Sequence, residues 1–204
     1  LEDPTEQIER LQAIAEIYES QLFNKGEAFH TLIRAFECAP LHEEIRTELE
    51  RIAKETDRWE DIVDVYSSEV EKIEDPLGQV PLWMRLGQIQ YIELQTHEEA
   101  INAYRIAIAL DPTLIAAMEA LEELYEEHEM WDELIGIHQN KMLLSEDIEE
   151  QKDTLLKIAE LREYQIEDYL GAVEAYRQIQ ELDPEDISIL PSLENLYRSQ
   201  EMWQ

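Results

Sequence analysis

The chain has one cysteine, five glycines and no apolar run that approaches the roughly 20 residues needed to span a bilayer. A single cysteine, Cys38, excludes an internal disulfide framework. Set among the apolar residues of a helix, it is expected to be a buried structural thiol, compatible with a reducing compartment such as the cytoplasm. Scarce glycine, together with few β-branched residues alternating at period two, leaves β-strands without support, so an all-α chain follows. Cationic side chains are scarce too: 16 Lys and Arg stand against 49 Asp and Glu, a formal net charge of −33. Such a surface repels phosphate backbones and anionic headgroups, which disfavours nucleic acid and membrane as partners. A charge excess also keeps a surface soluble whatever its role.

Motifs that carry chemistry are missing as well. The five histidines, His30, His42, His97, His128 and His138, form no H-E-x-x-H, no cysteine pair is present, and neither phosphate-binding glycine loops nor G-x-S-x-G occur. Acidic pairs such as Glu122-Glu123 and Glu126-Glu127 lack the alternating aspartates and central glycine of a calcium loop. Nor do they stand as two isolated acids in an aromatic cleft, as glycosidases require. They read as a solvated helix face, and His138 as a core histidine. No catalytic residue, metal ligand or cofactor is expected.

What is present is periodicity. Leu82 to Pro112 reads as two amphipathic helices with a turn between, Trp83, Leu86, Gly87 and Tyr91 in the first, Ala100, Tyr104 and Ala107 in the second, with Asp111-Pro112 as the stop. The same features recur at a stride of 72 residues: Trp59, Trp131 and Trp203; Pro40, Pro112 and Pro184; Ala28, Ala100 and Ala172; Asp3, Asp75 and Asp147; Leu49, Leu121 and Leu193. Five column sets in one register imply a duplicated superunit of two hairpins, near 37 and 35 residues long. The 44% hydrophobic content supports the core this requires.

Trp83, Leu86, Gly87, Ala100, Tyr104 and Pro112 resemble the tetratricopeptide repeat pattern W-x2-L-G-x2-Y, A-x3-F and closing P. Tyr91 comes one residue late and the loop before Ala100 is one residue longer. The resemblance implies a right-handed α-solenoid of stacked antiparallel helix hairpins, a single array over 1–204. Its hairpins span 3–40, 41–74, 75–111, 112–146 and 147–183, with an incomplete sixth at 184–204. That is eleven helices and the stub of a twelfth at Trp203, and a chain not opening on methionine is expected to be a piece of a longer protein.

Local signals refine these units. Asp3-Pro4 should cap the first helix, whose inner stripe is Leu11, Ile14, Ala15 and Tyr18. Pro81 predicts a kink or a late start in its helix, Pro184 the beginning of the last helix, and Pro191 a further kink. Where the chain stops, the Leu193 and Leu196 surface is expected to stay partly uncovered and to fray or self-associate.

In such a family the first helices line a concave face. The resemblance assigns to it Glu16, Glu19, Arg51, Lys54, Met84, Gln88, Tyr91, Glu119, Glu123, Glu126, Leu156, Glu160, Glu163 and Tyr164. An acidic groove with apolar anchors suits a basic partner segment carrying an aromatic or aliphatic residue. Some family members clamp acidic chaperone tails through Lys and Asn, a set this chain lacks apart from Arg51 and Lys54. The expected role is a non-catalytic protein-interaction scaffold. The alternative is a regulatory or substrate-recruiting array of a larger enzyme or of a secretion or assembly complex.

Overall fold

The computed structural model describes residues 4–199. The Asp3 cap and the Trp203 helix lie outside them. Eleven α-helices and no strand are found among the described residues: α1 (Pro4–Ser20), α2 (Lys25–Cys38), α3 (Glu43–Thr56), α4 (Trp59–Val70), α5 (Pro76–Ile92), α6 (His97–Leu110), α7 (Ile115–Glu127), α8 (Trp131–Leu144), α9 (Ile148–Glu160), α10 (Tyr169–Leu182) and α11 (Leu190–Ser199). A π-helical turn, Leu161–Gln165, continues α9. None of these helices is long and apolar enough to cross a membrane. They gather into two compact units, Leu1–Ala117 and Met118–Gln204.

In the first unit the hairpins α1–α2, α3–α4 and α5–α6 follow one another, α2 packing on α3 and α4 on α5. Each helix buries one stripe, and the stripes meet in a core that includes Phe29, Phe36, Ile45, Leu49, Ile62, Tyr66, Leu82 and Leu86. Phe36 and Tyr66 stack at 4.6 Å between ring centroids. In the second unit α9 packs against both α8 and α10. Leu155, Ile158, Ala159, Ala172, Tyr176 and Ile179 meet Ile189, Leu193 and Leu196 in its core.

The hairpin turns differ between the longer and the shorter hairpins by one residue. Every turn places one non-glycine residue in the left-handed region, Phe23, Asp57, Gln95, Glu129 and Glu167, with φ between 53° and 60°. In the shorter hairpins Arg58 N–H donates to Ala53 O and Met130 N–H to Tyr125 O, five residues back, the bond of a Schellman cap. In the longer ones Asn24, Thr96 and Asp168 reach back six residues to Tyr18, Gln90 and Arg162, at 2.8, 2.8 and 2.7 Å. The extra residue of the loop before Ala100 is thus absorbed in a widened last turn.

Several expectations are corrected. Cys38 is exposed rather than buried; it is the last residue of α2 and falls off the stripe that ends at Ala35 and Phe36. Ile14 is 43% exposed, because the buried stripe of α1 runs through Ile8, Leu11 and Ala15. α5 does not start late: the Asp75 carboxylate accepts from Gly78 N–H, and the helix begins at Pro76 and continues through an exposed Pro81. The last helix starts at Leu190 instead of Pro184, since Asp183 and Asp186 accept from the Glu185 and Ser188 amides and hold the intervening residues in turns. This puts Pro191 in the first turn of α11, where it leaves no interior hydrogen bond unmade. Leu193 and Leu196, expected to be partly uncovered, are buried at 6% and 2% exposure.

Candidate interaction surfaces

On α1 and α3 of the first unit, Glu16, Glu19 and Arg51 line an open depression of about 560 Å³ floored by Leu32 and Ile52. Arg51 is not presented as a lone cation. Its guanidinium grips both carboxylate oxygens of Glu19, at 2.9 and 2.6 Å, and also contacts Glu48 and Glu55 at 2.8 and 3.0 Å. The hydrogen bonds from Arg51 hold the Glu19 carboxyl below its ordinary pKa. Lys54 is exposed and lies outside the depression. Met84, Gln88 and Tyr91 are half-buried on α5; Gln88 accepts from Arg85 at 2.9 Å, and the Tyr91 ring meets His97 edge-on at 5.6 Å.

In the second unit a depression of about 410 Å³ opens between α7, α8 and α9. Glu126, Glu160 and Tyr164 line it, together with Leu134, Leu161 and three groups the sequence reading did not place there, Glu122, His138 and Lys157. Glu119, Glu123 and Leu156 are exposed outside it, and Glu163 is half-buried, accepting a 3.3 Å hydrogen bond from Tyr176 Oη.

Position by position, this site is the altered duplicate of a closed cluster 72 residues earlier. There Tyr66 Oη donates to Glu50 at 2.8 Å, and Arg85 reaches the same carboxylate at 2.9 and 2.6 Å. Burial pushes the Tyr66 phenol far up, aided by the Glu50 carboxylate. In the second copy Glu122, His138 and Lys157 stand at those positions. His138 Nδ1 and Lys141 Nζ both lie 3.0 Å from the Glu122 carboxylate. Burial works against the charge on Glu122, but His138 and Lys141 beside it outweigh this and its pKa is lowered. Lys157 has no planar fork to match a carboxylate, and it sits exposed at the rim. A locked polar core in one copy is therefore an open, charged hollow in the other. The stride of 72 carries the signal for Glu122 and His138, but only when read together with the partners at 50 and 66.

Helical hairpins joined by such turns, with hydrophobic stripes buried between neighbours, define a helical-repeat protein. Residues 117–152, which hold most of α7, all of α8 and the start of α9, match the tetratricopeptide repeat family. The hairpin matched is the fourth, whereas the motif residues quoted from the sequence lie in the third. The match spans a single hairpin, so that hairpin is similar to a tetratricopeptide repeat, and the rest of the chain shares its helical-hairpin fold. No curated protein matches it. Among solved structures, it is similar to a tetratricopeptide repeat protein from Parabacteroides merdae, at 14% identity over 96% of this chain and 74% of the other, with a TM-score of 0.49. It is also similar to the MamA protein, at 15% identity over 89% and 94% of the two chains and a TM-score of 0.49. A third likeness is to YrrB, described as a tetratricopeptide repeat protein with an unusual peptide-binding site, at 15% identity over 94% and 97% and a TM-score of 0.45.

Proposed function

We propose that this chain is an interaction scaffold that takes a basic partner segment, with a Lys or Arg side chain of the partner entering the hollow between α7, α8 and α9. The observation that carries the reading is that Glu126 and Glu160 line one recess with Leu134, Leu161 and Tyr164, alongside His138 and a rim Lys157 that a partner cation would have to pass. A partner ammonium or guanidinium meets carboxylates there while its methylene stem covers the apolar wall. Glu122 adds a third carboxylate, whose Oε2 accepts from Lys141 while its buried Oε1 has no hydrogen-bond partner. The net charge of −33 steers a basic segment toward the chain from a distance of about one Debye length, roughly 8 Å at physiological ionic strength. In the depression of the first unit Arg51 stands between the carboxylates of Glu19 and Glu48 and already occupies the place a partner cation would take.

The experiment is a titration with short peptides that pair Lys or Arg with one Leu or Phe, at low and high salt. Binding is expected to weaken as salt rises, and Glu126→Lys with Glu160→Lys is expected to weaken it tenfold or more while helicity stays unchanged. Equal binding by the double variant rejects the assignment of the hollow.

A further inference from the structure

The two copies of the 72-residue superunit also differ on the opposite flank of α9. In the first copy, Gln79 Nε2 donates to Ile73 O at 2.8 Å, which fixes the amide, and its Oε1 accepts the indole N–H of half-buried Trp83 at 3.3 Å. In the second copy Gln151 is anchored in the same way, Nε2 donating to Ser145 O at 2.6 Å. Leu155 stands where the indole would be. Two depressions of about 310 and 360 Å³ open there and share Met142, Leu143, Leu155 and Gln178. Gln151 and Leu182 line the second. Each is within the range of clefts that take small ligands, roughly 300–1,000 Å³. Leu143, at their edge, is an apolar residue left 78% exposed.

We propose that this slot, between α8 and α10 over α9, docks a tryptophan side chain of a partner polypeptide. The partner's indole takes the place that Trp83 fills in the sister copy and donates its N–H to Gln151 Oε1. The sister copy specifies both the shape and the polar handle: a flat apolar ring beside aliphatic side chains, with one N–H facing an amide oxygen already held in place. Glu174 and Arg162 line the first depression and Glu181 the second, so the Gln151 end of the slot carries one uncompensated carboxylate and disfavours acidic residues beside the tryptophan. A second copy of this chain is the poorer occupant, since each copy brings a charge of −33. The slot is independent of the acidic hollow: Gln151 and Leu155 line the slot, whereas Lys157 and Glu160 line the hollow.

The test is an NMR titration of the whole chain, observing the methyl groups of Met142, Leu143 and Leu155, with N-acetyl-tryptophanamide and then N-acetyl-phenylalaninamide as probes. The tryptophan probe is expected to give saturable shifts confined to these methyls. The phenylalanine probe, which cannot donate to Gln151, is expected to bind about three- to tenfold more weakly, the loss of one hydrogen bond. Leu155→Trp, which installs the sister residue, is expected to abolish binding. Should that variant misfold, Leu143→Glu at its exposed position reads out the same loss. Glu126→Lys with Glu160→Lys is expected to leave indole binding unchanged, so failure of the slot and failure of the hollow are told apart. Equal binding of both probes, or unchanged binding in Leu143→Glu, overturns the proposal. So does a concentration-dependent dimer that Leu143→Glu dissolves, since it makes a second copy the occupant.

Discussion

Arg85 of α5 holds both carboxylate oxygens of Glu50 on α3, 35 residues earlier, through Nε at 2.9 Å and Nη2 at 2.6 Å. The Glu50 side chain is only 11% exposed, and the same carboxylate takes the Tyr66 hydroxyl at 2.8 Å, so one carboxylate ties three helices together. Removing one partner of a pair buried on one side leaves the other charge poorly solvated. Glu50→Ala and Arg85→Met are each expected to cost about 1–3 kcal/mol, less than for a fully buried pair because Arg85 stays about one-third exposed. Chemical denaturation of the two single variants and the double variant measures their coupling; strictly additive losses would show that the bridge contributes nothing.

The left-handed turn residues yield a stabilising prediction. An L side chain in this conformation costs about 1–2 kcal/mol relative to a right-handed one, whereas glycine has no such cost but loses more backbone entropy on folding. Glu129→Gly, at φ 55°, is therefore expected to gain about 0.5–1 kcal/mol and to raise the melting temperature, and Gln95→Gly, at φ 56°, to gain less because it gives up the hydrogen bonds that Gln95 Nε2 donates to Tyr91 O and Ile92 O. Asp57→Gly should gain less, because Asp tolerates this region better than Gln or Glu. A fall in melting temperature for all three would contradict the turn geometry.

Close packing of the third hairpin turns on Gly87. A Cβ there would stand 2.7 Å from Tyr104 Cε1, inside van der Waals contact. Gly87→Val is expected to force the ring outward and cost about 1–3 kcal/mol. Ala172→Leu, at a fully buried crossing of α10, is expected to do the same in the second unit. Urea unfolding curves check both, and an unshifted midpoint in either variant argues against the packing register.

Acid should loosen the connection between α10 and α11. Lys152 Nζ lies 2.9 Å from Asp183 and 2.8 Å from Asp186, and its hydrogen bonds hold both carboxyl groups below their ordinary pKa, Asp186 far below. A depressed carboxylate pKa means a contribution present above the unfolded value near 3.9 and lost as pH falls through the lower folded value. For Lys152 the shift is upward, chiefly through Asp186, so its contribution is present below about pH 10.5 and is lost only at higher pH. Lys152→Met should therefore lower the melting temperature at pH 7 and flatten its decline below about pH 4. Charge relief on protonating the acidic surface acts on both proteins alike, so parallel acid curves for wild type and variant would remove Lys152 as the cause.

Much of this organisation could be read before any coordinates. Asp75 and Asp147 accept from amides of the following turn, as helix-starting aspartates should, and Ala28, Ala100 and Ala172 sit at fully buried crossings. Glu126, Glu160 and Tyr164, assigned to one surface from a resemblance alone, line one depression, whereas Glu119, Glu123, Leu156 and Glu163 from the same assignment lie outside it. Cys38 marks where local inference stops: two positions beyond Phe36, the last residue of the buried stripe, apolar neighbours in sequence are not neighbours in space.

Sequence alone determined the helices, their hairpin pairing and the stride of 72, because caps, apolar periodicity and stop residues act within a few positions along the backbone. Only the tertiary structure decided that Glu50 is locked by Arg85 whereas Glu122 faces an open hollow, that five side chains occupy left-handed turns, and that Leu155 leaves a slot where Trp83 fills one. Each of these depends on which atoms of separate helices come within a few ångströms of one another. The composition of a single helix holds no record of that distance.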